Sequence, residues 1–136
     1  TAIRRQRQMC IRDSNKEGVI VEYNTLDENL EILNDILGLE DNWNNNGAPA
    51  INEKLIEKMR GILFVLPVQP EIFPTARPSI QFEYEKDDGD YLKFELLEDF
   101  KIRIYRSTPL KDRYNKVMDF NMDEIVKVVE GFYGIS

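Results

Sequence analysis

The chain has 136 residues, 42% of them apolar, and carries 25 acidic against 18 basic side chains for a formal charge of −7. That length supports one hydrophobic core and is too short for two domains that each bury a core of their own. The negative charge disfavours nucleic-acid and anionic-lipid partners, and it suits a basic or amphipathic protein partner.

Several chemistries are excluded by residue type. The chain contains no histidine, so catalysis by Ser-His or Cys-His pairs and histidine-ligated metal sites cannot occur within it. No glycine-rich nucleotide loop is present, and we expect no cofactor. No apolar run reaches the roughly 20 residues that a membrane helix needs, and no signal peptide opens the chain. We therefore expect a cytoplasmic protein that is not an enzyme.

Residues 1–14 differ from the rest of the chain, since they are rich in arginine and show no periodicity. Within them, residues 9–14 (Met-Cys-Ile-Arg-Asp-Ser) resemble a translated sequencing adaptor from the edge of a metagenomic assembly. A disordered basic arm or an N-terminal helix is the alternative. Without this segment's four arginines and one aspartate, 14 basic and 24 acidic residues remain, a net charge of −10. We predict a single domain over residues 15–136.

Three amphipathic helices are predicted. Residues 25–28 (Thr-Leu-Asp-Glu) form a capping-box pattern at the start of the first. The second runs from Asn52, a good N-cap, to Pro67, and residues 121–124 resemble a capping box before the third. The first helix carries an apolar stripe at helical spacing, widened by neighbouring isoleucines: Leu26, Leu30, Leu33, Leu37, Ile32, Ile36 and Leu39.

Alternating apolar residues predict strands around residues 80–85, 92–96 and 100–104, with a turn at residues 87–90. Residues 108–120 are ambiguous and are a candidate fourth strand. The short β-branched stretch of residues 19–23 suggests an extended lead-in or an edge strand. Four prolines in residues 67–78 favour an extended connection held to the core by Ile72 and Phe73. The predicted fold class is two-layer α+β, an antiparallel meander of three to four strands with about three helices on one face and a solvated, charged opposite face.

The segment between the first two helices, residues 41–49, is unusual because asparagine and glycine accept left-handed backbone conformations. Its candidate binding residues are Trp43, Asn44, Asn46 and Gly47. Trp43 suits either a core anchor or a binding hot spot, and we favour the anchor. The spacing from Asn42 to Glu53 matches an EF-hand loop, but the first ligands would be neutral amides, so we predict no metal site.

A family resemblance follows from residues 42–48 (Asn-Trp-Asn-Asn-Asn-Gly-Ala), the Leu66-Pro67 helix exit, residues 72–74 and the strand at residues 80–84. Together these resemble a family of small uncharacterised bacterial proteins with an Asn-Trp-(Asp/Asn)-x-x-Gly-Ala loop. The resemblance spans residues 26–134 and implies a shared fold unit and an association with mobile elements or toxin–antitoxin neighbourhoods. It implies no mechanism, and an aspartate is commoner in the family where this chain has Asn44.

Other polar clusters have simpler explanations. The carboxylates of residues 87–90 and 98–99 could serve acid/base or magnesium chemistry, but both groups fall where hairpin turns belong. The basic tract of residues 101–113 could meet an anionic ligand, but it fits better the solvated face of an edge strand that balances Glu83 and Glu95. Arg77, between two prolines in a stiff segment, is a candidate for a directional contact through its guanidinium group.

Three functions therefore stay open. The first is a non-catalytic protein-binding module of a bacterial or mobile-element system, of the antitoxin or immunity-protein kind. It would use its acidic surface and residues 41–49, which we call the Trp43 loop. The second is a small carboxylate-dependent enzyme or a divalent-metal-binding protein. The third is a structural subunit of a phage or mobile-element assembly.

Overall fold

Three helices and five strands make up the computed structural model, which describes residues 24–110 and 112–135. The helices are α1 (Leu26–Leu37), α2 (Glu53–Val65) and α3 (Met122–Tyr133). The strand predicted at residues 19–23 and the interpretation of residues 1–14 lie outside the described residues. Within the described ranges, no helix is long and apolar enough to cross a membrane.

Side-chain caps start the helices at the predicted residues. Thr25 and Glu28 form the expected capping box, in which each side chain accepts a hydrogen bond from the other residue's backbone amide. Asn52 caps α2 by accepting from the amide of Lys54 at 2.8 Å, and Asn121 caps α3 by accepting from the amide of Glu124 at 3.0 Å.

The sheet is an antiparallel meander in the spatial order β1-β2-β3-β4-β5. Its strands are β1 (Glu71–Pro74), β2 (Ile80–Glu85), β3 (Tyr91–Leu96), β4 (Lys101–Ser107) and β5 (Arg113–Asp119). The sheet has five strands where three to four were predicted. The candidate fourth strand within residues 108–120 is β5, and part of the proline-rich connection, residues 67–78, is β1. Proline is compatible with β1 because this strand lies at an edge of the sheet and ends at Pro74.

The core lies between the helices and one face of the sheet. Phe82 and Phe94 stack across β2 and β3 with ring centroids 4.8 Å apart. The stripe on α1 is rotated from its predicted centre, because Leu37 is exposed and the two isoleucines are buried. Fully buried apolar side chains from all three helices and four strands join this stacked pair in the core: Leu33, Ile36, Leu55, Ile56, Met59, Ile62, Leu63, Ile72, Ile80, Leu92, Leu96, Ile102, Ile125 and Val129.

The opposite sheet face is not uniformly solvated, which corrects the prediction. Glu83 and Glu95 are only 4% and 5% exposed. The Ser79 hydroxyl donates to Glu95 at 2.5 Å and the Arg103 guanidinium donates to it at 3.3 Å, while the Tyr91 hydroxyl donates to Glu83 at 2.5 Å. These donors compensate the burial of two carboxylates, which would otherwise be costly.

Candidate recognition site

The segment between α1 and α2 is an ordered turn, as its composition predicts. Asn42, Asn45 and Gly47 have left-handed backbone angles, with φ of 68°, 59° and 83°. The amide of Asn42 donates to the carbonyl of Ala48 at 2.6 Å and closes the segment on itself. Asparagine and glycine occupy the three left-handed positions because they tolerate that conformation best.

Side-chain oxygens fix the turn further. Asn44 Oδ1 accepts hydrogen bonds from the amides of Asn46 at 2.9 Å and Ala48 at 3.0 Å. Asn42 Oδ1 accepts from the amide of Gly47 at 2.8 Å, and Asp41 Oδ1 accepts from the amide of Ala50 at 2.9 Å. Four backbone amides without a helix or strand partner are thereby satisfied.

Trp43 is not the core anchor that the sequence suggested. Its ring is half-buried and lies outside the core, and its indole Nε1 donates to the carbonyl of Pro49 at 3.0 Å. Ala48 and Ile51, at 2% and 6% exposure, are the apolar anchors of the segment. The indole is thus held in place by a hydrogen bond while part of its surface stays accessible.

The donor set of this loop does not suit calcium. The Oδ1 atoms of Asn42 and Asn44 already accept backbone amides, and Glu53 begins α2 as a first-turn residue. No group of three or more potential metal-binding Cys, Asp or Glu side chains occurs in residues 24–110 and 112–135. The asparagines therefore act as turn and capping residues here.

A row of carboxylates precedes the loop. Asp27, Glu31 and Asp35 follow one another at intervals of four residues on the exposed side of α1, and the exposed Glu40 follows between the helix and the loop in the sequence. The helix contains no lysine or arginine. None of these four carboxylates forms an ion pair within the described part of the chain. We call these four residues the acidic row.

Arg77 lies in the turn between β1 and β2. The Thr75 hydroxyl accepts hydrogen bonds from the amides of Arg77 and Ser79, at 3.2 Å and 3.3 Å, and so fixes this turn. The Arg77 side chain is 67% exposed, and its guanidinium is 3.7 Å from Glu95. The predicted binding residues thus belong to two segments of the chain: Trp43, Asn44, Asn46 and Gly47 in the loop, and Arg77 in the β1–β2 turn.

Sequence reasoning identified the loop but missed the acidic row. The signal was available, since residues 26–37 hold four acids and no base, and the four-residue spacing places three of the acids on one helix face. The buried Glu95 carried no comparable signal, because its hydroxyl donor, Ser79, is distant in the sequence.

Comparison with known proteins gives no relative for this site. No family model matches the sequence, and no curated protein or solved structure matches it either.

Proposed function

We propose that this protein is a non-catalytic protein-binding module of the antitoxin or immunity-protein kind, and that the acidic row and the adjoining Trp43 loop bind a basic surface of its partner. The observation that carries this proposal is the charge of Asp27, Glu31 and Asp35 on α1, none of which forms an ion pair within the described residues. These three exposed carboxylates at successive i,i+4 positions repel one another. Each such pair disfavours an isolated helix by a few tenths of a kcal/mol.

A cationic partner surface removes that repulsion. Lysine or arginine side chains facing the acidic row would gain favourable contacts with carboxylates that have no ion-pair partner within the described residues. Charges at the rim of an interface mainly accelerate encounter and select the partner. The overall charge of −7 adds long-range attraction for a basic protein.

The loop supplies the second element of an interface. Its conformation is fixed by Asn42, Asn44 and Asp41, so little conformational entropy is lost when a partner binds it. Trp43 is held by its bond to Pro49 and keeps an accessible surface. A tryptophan at the centre of an interface is a frequent source of binding energy.

The decisive experiment is a selection with this protein as bait, from a library that displays protein fragments encoded by DNA from the protein's source. The binding of each enriched fragment is then measured by calorimetry. Two variants test the site: Trp43→Ala, and the triple reversal Glu31→Lys/Asp35→Lys/Glu40→Lys. We expect each variant to weaken binding by about tenfold or more. The affinity for the parent protein should fall as the salt concentration rises.

A matched control separates local from overall charge. The triple reversal Glu85→Lys/Asp87→Lys/Glu98→Lys changes the net charge equally, at exposed carboxylates in strand ends and turns of the sheet. It should leave binding within about threefold of the parent, as expected for long-range charge alone. A binder that tolerates both site variants, or one that loses as much affinity with the control, would refute the proposed site, and failure to enrich any binder would count against the function.

A further inference from the structure

Strand β5 forms an exposed edge of the sheet. It pairs with β4 on one side, and no other strand of the described chain lies on its other side. All five of its first residues are exposed, and Tyr114 and Val117 are 51% and 48% exposed. Long, regular edge strands readily pair with another chain, so proteins usually shorten, bend or cover them. β5 has seven residues with an unbroken register.

The hydrogen-bonding pattern shows which backbone groups point outward. The amide of Thr108 donates to the carbonyl of Asp112, and the amide of Phe120 donates to the carbonyl of Phe100. Alternation along an antiparallel ladder therefore directs the backbone groups of the even-numbered residues of β5 towards β4. The N–H and C=O groups of the odd-numbered residues point away from the sheet: Arg113, Asn115, Val117 and Asp119.

The charge of this edge is opposite to that of the molecule. Strand β5 contains two basic side chains and one acidic side chain, a net charge of +1, whereas the whole chain has a charge of −7. Two copies therefore meet with the least repulsion between their acidic surfaces when they approach through this edge. Three of the four residues of the acidic row belong to α1, which contacts β1 at the opposite side of the sheet.

We propose that two copies of this chain associate through antiparallel pairing of their β5 strands, forming a continuous ten-stranded sheet. A two-fold axis at Lys116 aligns all seven residues of each strand. Arg113 then pairs with Asp119 of the second copy, and Asn115 with Val117, so that every outward backbone group has a partner. This surface is separate from the one in the proposed function.

Side chains on both sheet faces suit this register. On the face away from the helices, Arg113 and Asp119 form two symmetry-related pairs of opposite charge. Asp119 is 93% exposed and its ion pair with Lys101 is 3.5 Å long, so it can accept a second cation. On the helix-bearing face, Tyr114 of each copy lies opposite Met118 of the other, which gives two aromatic–methionine pairs. The single unfavourable pair is Lys116 with itself, between two long side chains that can lean apart.

Sedimentation equilibrium of the full chain tests the proposal, over concentrations from about 1 µM to about 1 mM. We expect a monomer–dimer equilibrium starting from the 16.0 kDa monomer. Val117→Pro removes an outward N–H without touching the ladder to β4, and should weaken the dimer at least about tenfold. Val117→Ala keeps that N–H and is the matched control, which should retain the dimer.

A charge exchange tests the register. Arg113→Asp places two aspartates opposite each other at both ends of the paired strands, and Asp119→Arg places two arginines there. Each single variant should therefore weaken the dimer at least about tenfold. The double exchange Arg113→Asp/Asp119→Arg restores opposite charges and should recover the dimer. Thermal unfolding of each variant checks that the monomer fold is intact.

Three results would overturn the proposal. They are a monomer at all concentrations, a dimer indifferent to Val117→Pro, and single charge variants that the double exchange does not rescue. A dimer that survives these changes would use another surface. Because the acidic row is untouched by every variant, binding of the partner described above can be lost or kept independently of dimerisation.

Discussion

Phe100 occupies, in the turn between β3 and β4, the position that Gly89 occupies in the turn between β2 and β3. Both residues donate their amide to the carbonyl three residues earlier, at 2.9 Å, and both are left-handed, with φ of 62° and 92°. In each turn the preceding aspartate, Asp99 or Asp88, accepts the amide two residues ahead. Glycine is the usual residue at such a position, and a bulky side chain there is strained.

This equivalence predicts that glycine is more stable than alanine at position 100, although alanine is usually the more stable of the two. Phe100→Ala and Phe100→Gly both lose the partly buried ring and its contact with the Lys58 ammonium, 5.1 Å from the ring centroid. Only the alanine keeps the left-handed penalty, so Phe100→Ala should unfold more easily than Phe100→Gly by about 1 kcal/mol in urea titrations. Equal stabilities would contradict this explanation.

The same reasoning predicts the effect of adding a side chain at Gly89. A Cβ there would meet Cγ of Pro109 at 3.5 Å, an ordinary contact, so Gly89→Ala has no steric obstacle. Its φ of 92° should nevertheless cost about 1 kcal/mol of unfolding free energy, measured in the same urea titrations. An alanine as stable as the parent glycine would mean that this turn relaxes without strain.

Tyr84 predicts a loss of stability in alkaline solution. Burial raises the pKa of its phenol above the ordinary value of 10.0, and its hydroxyl donates to the carbonyl of Val68 at 2.6 Å. Above pH 10 the unfolded chain releases this proton while the folded chain keeps it, so the unfolding free energy falls as pH rises. Urea titrations from about pH 9 to about pH 12 should show a steeper decline for the parent than for Tyr84→Phe. Parallel declines would exclude Tyr84 as the cause.

Asn44 should be the most sensitive asparagine of the loop. Asn44→Ala removes the acceptor of two backbone amides and should lower the unfolding free energy by about 1–2 kcal/mol. Asn44→Asp keeps the oxygen acceptors and should be tolerated. Asn46→Ala is the matched control, since its exposed side chain has no hydrogen-bond partner within the described residues, and should change stability by less than about 0.5 kcal/mol. Similar effects for both alanines would show that the cap is unimportant.

Glu95 tests the polar network on the sheet face away from the helices. Glu95→Gln leaves Arg103 without its counter-ion and alters the bond from Ser79, and should cost about 1–3 kcal/mol. The exposed Glu98→Gln is the control, with an expected change below about 0.5 kcal/mol. A double-mutant cycle with Arg103→Gln should show coupling, and additive effects would mean that the pair contributes nothing.

The local features of this chain could be predicted because they depend on neighbouring residues. The caps at Thr25, Asn52 and Asn121 and the left-handed turn before α2 all follow from side chains within a few residues of the groups they satisfy. Periodicity likewise located β2, β3 and β4, because apolar and polar residues alternate along each strand.

Features that depend on distant residues could not be predicted in this way. β1 is a strand because Ile72 lies opposite Phe82. The four prolines in residues 67–78 favoured an extended connection instead, so this pairing was not predicted. The burial of Glu95 depends on Ser79 and Arg103, which are distant in the sequence. Trp43 lies outside the core because Ala48 and Ile51 anchor the segment in its place.

The strand order also constrains how the chain folds. Every strand pairs with the next one in the sequence, so short loops connect all neighbouring strands. No strand has to pair with a segment that is distant in the sequence. We expect the hairpins around β3 to form first, because Phe94 and its partners Phe82 and Ile104 bury the centre of the sheet. In native-state hydrogen exchange, the amides of β3 should be the slowest to exchange, and the outward amides of β5 the fastest in the sheet of the monomer.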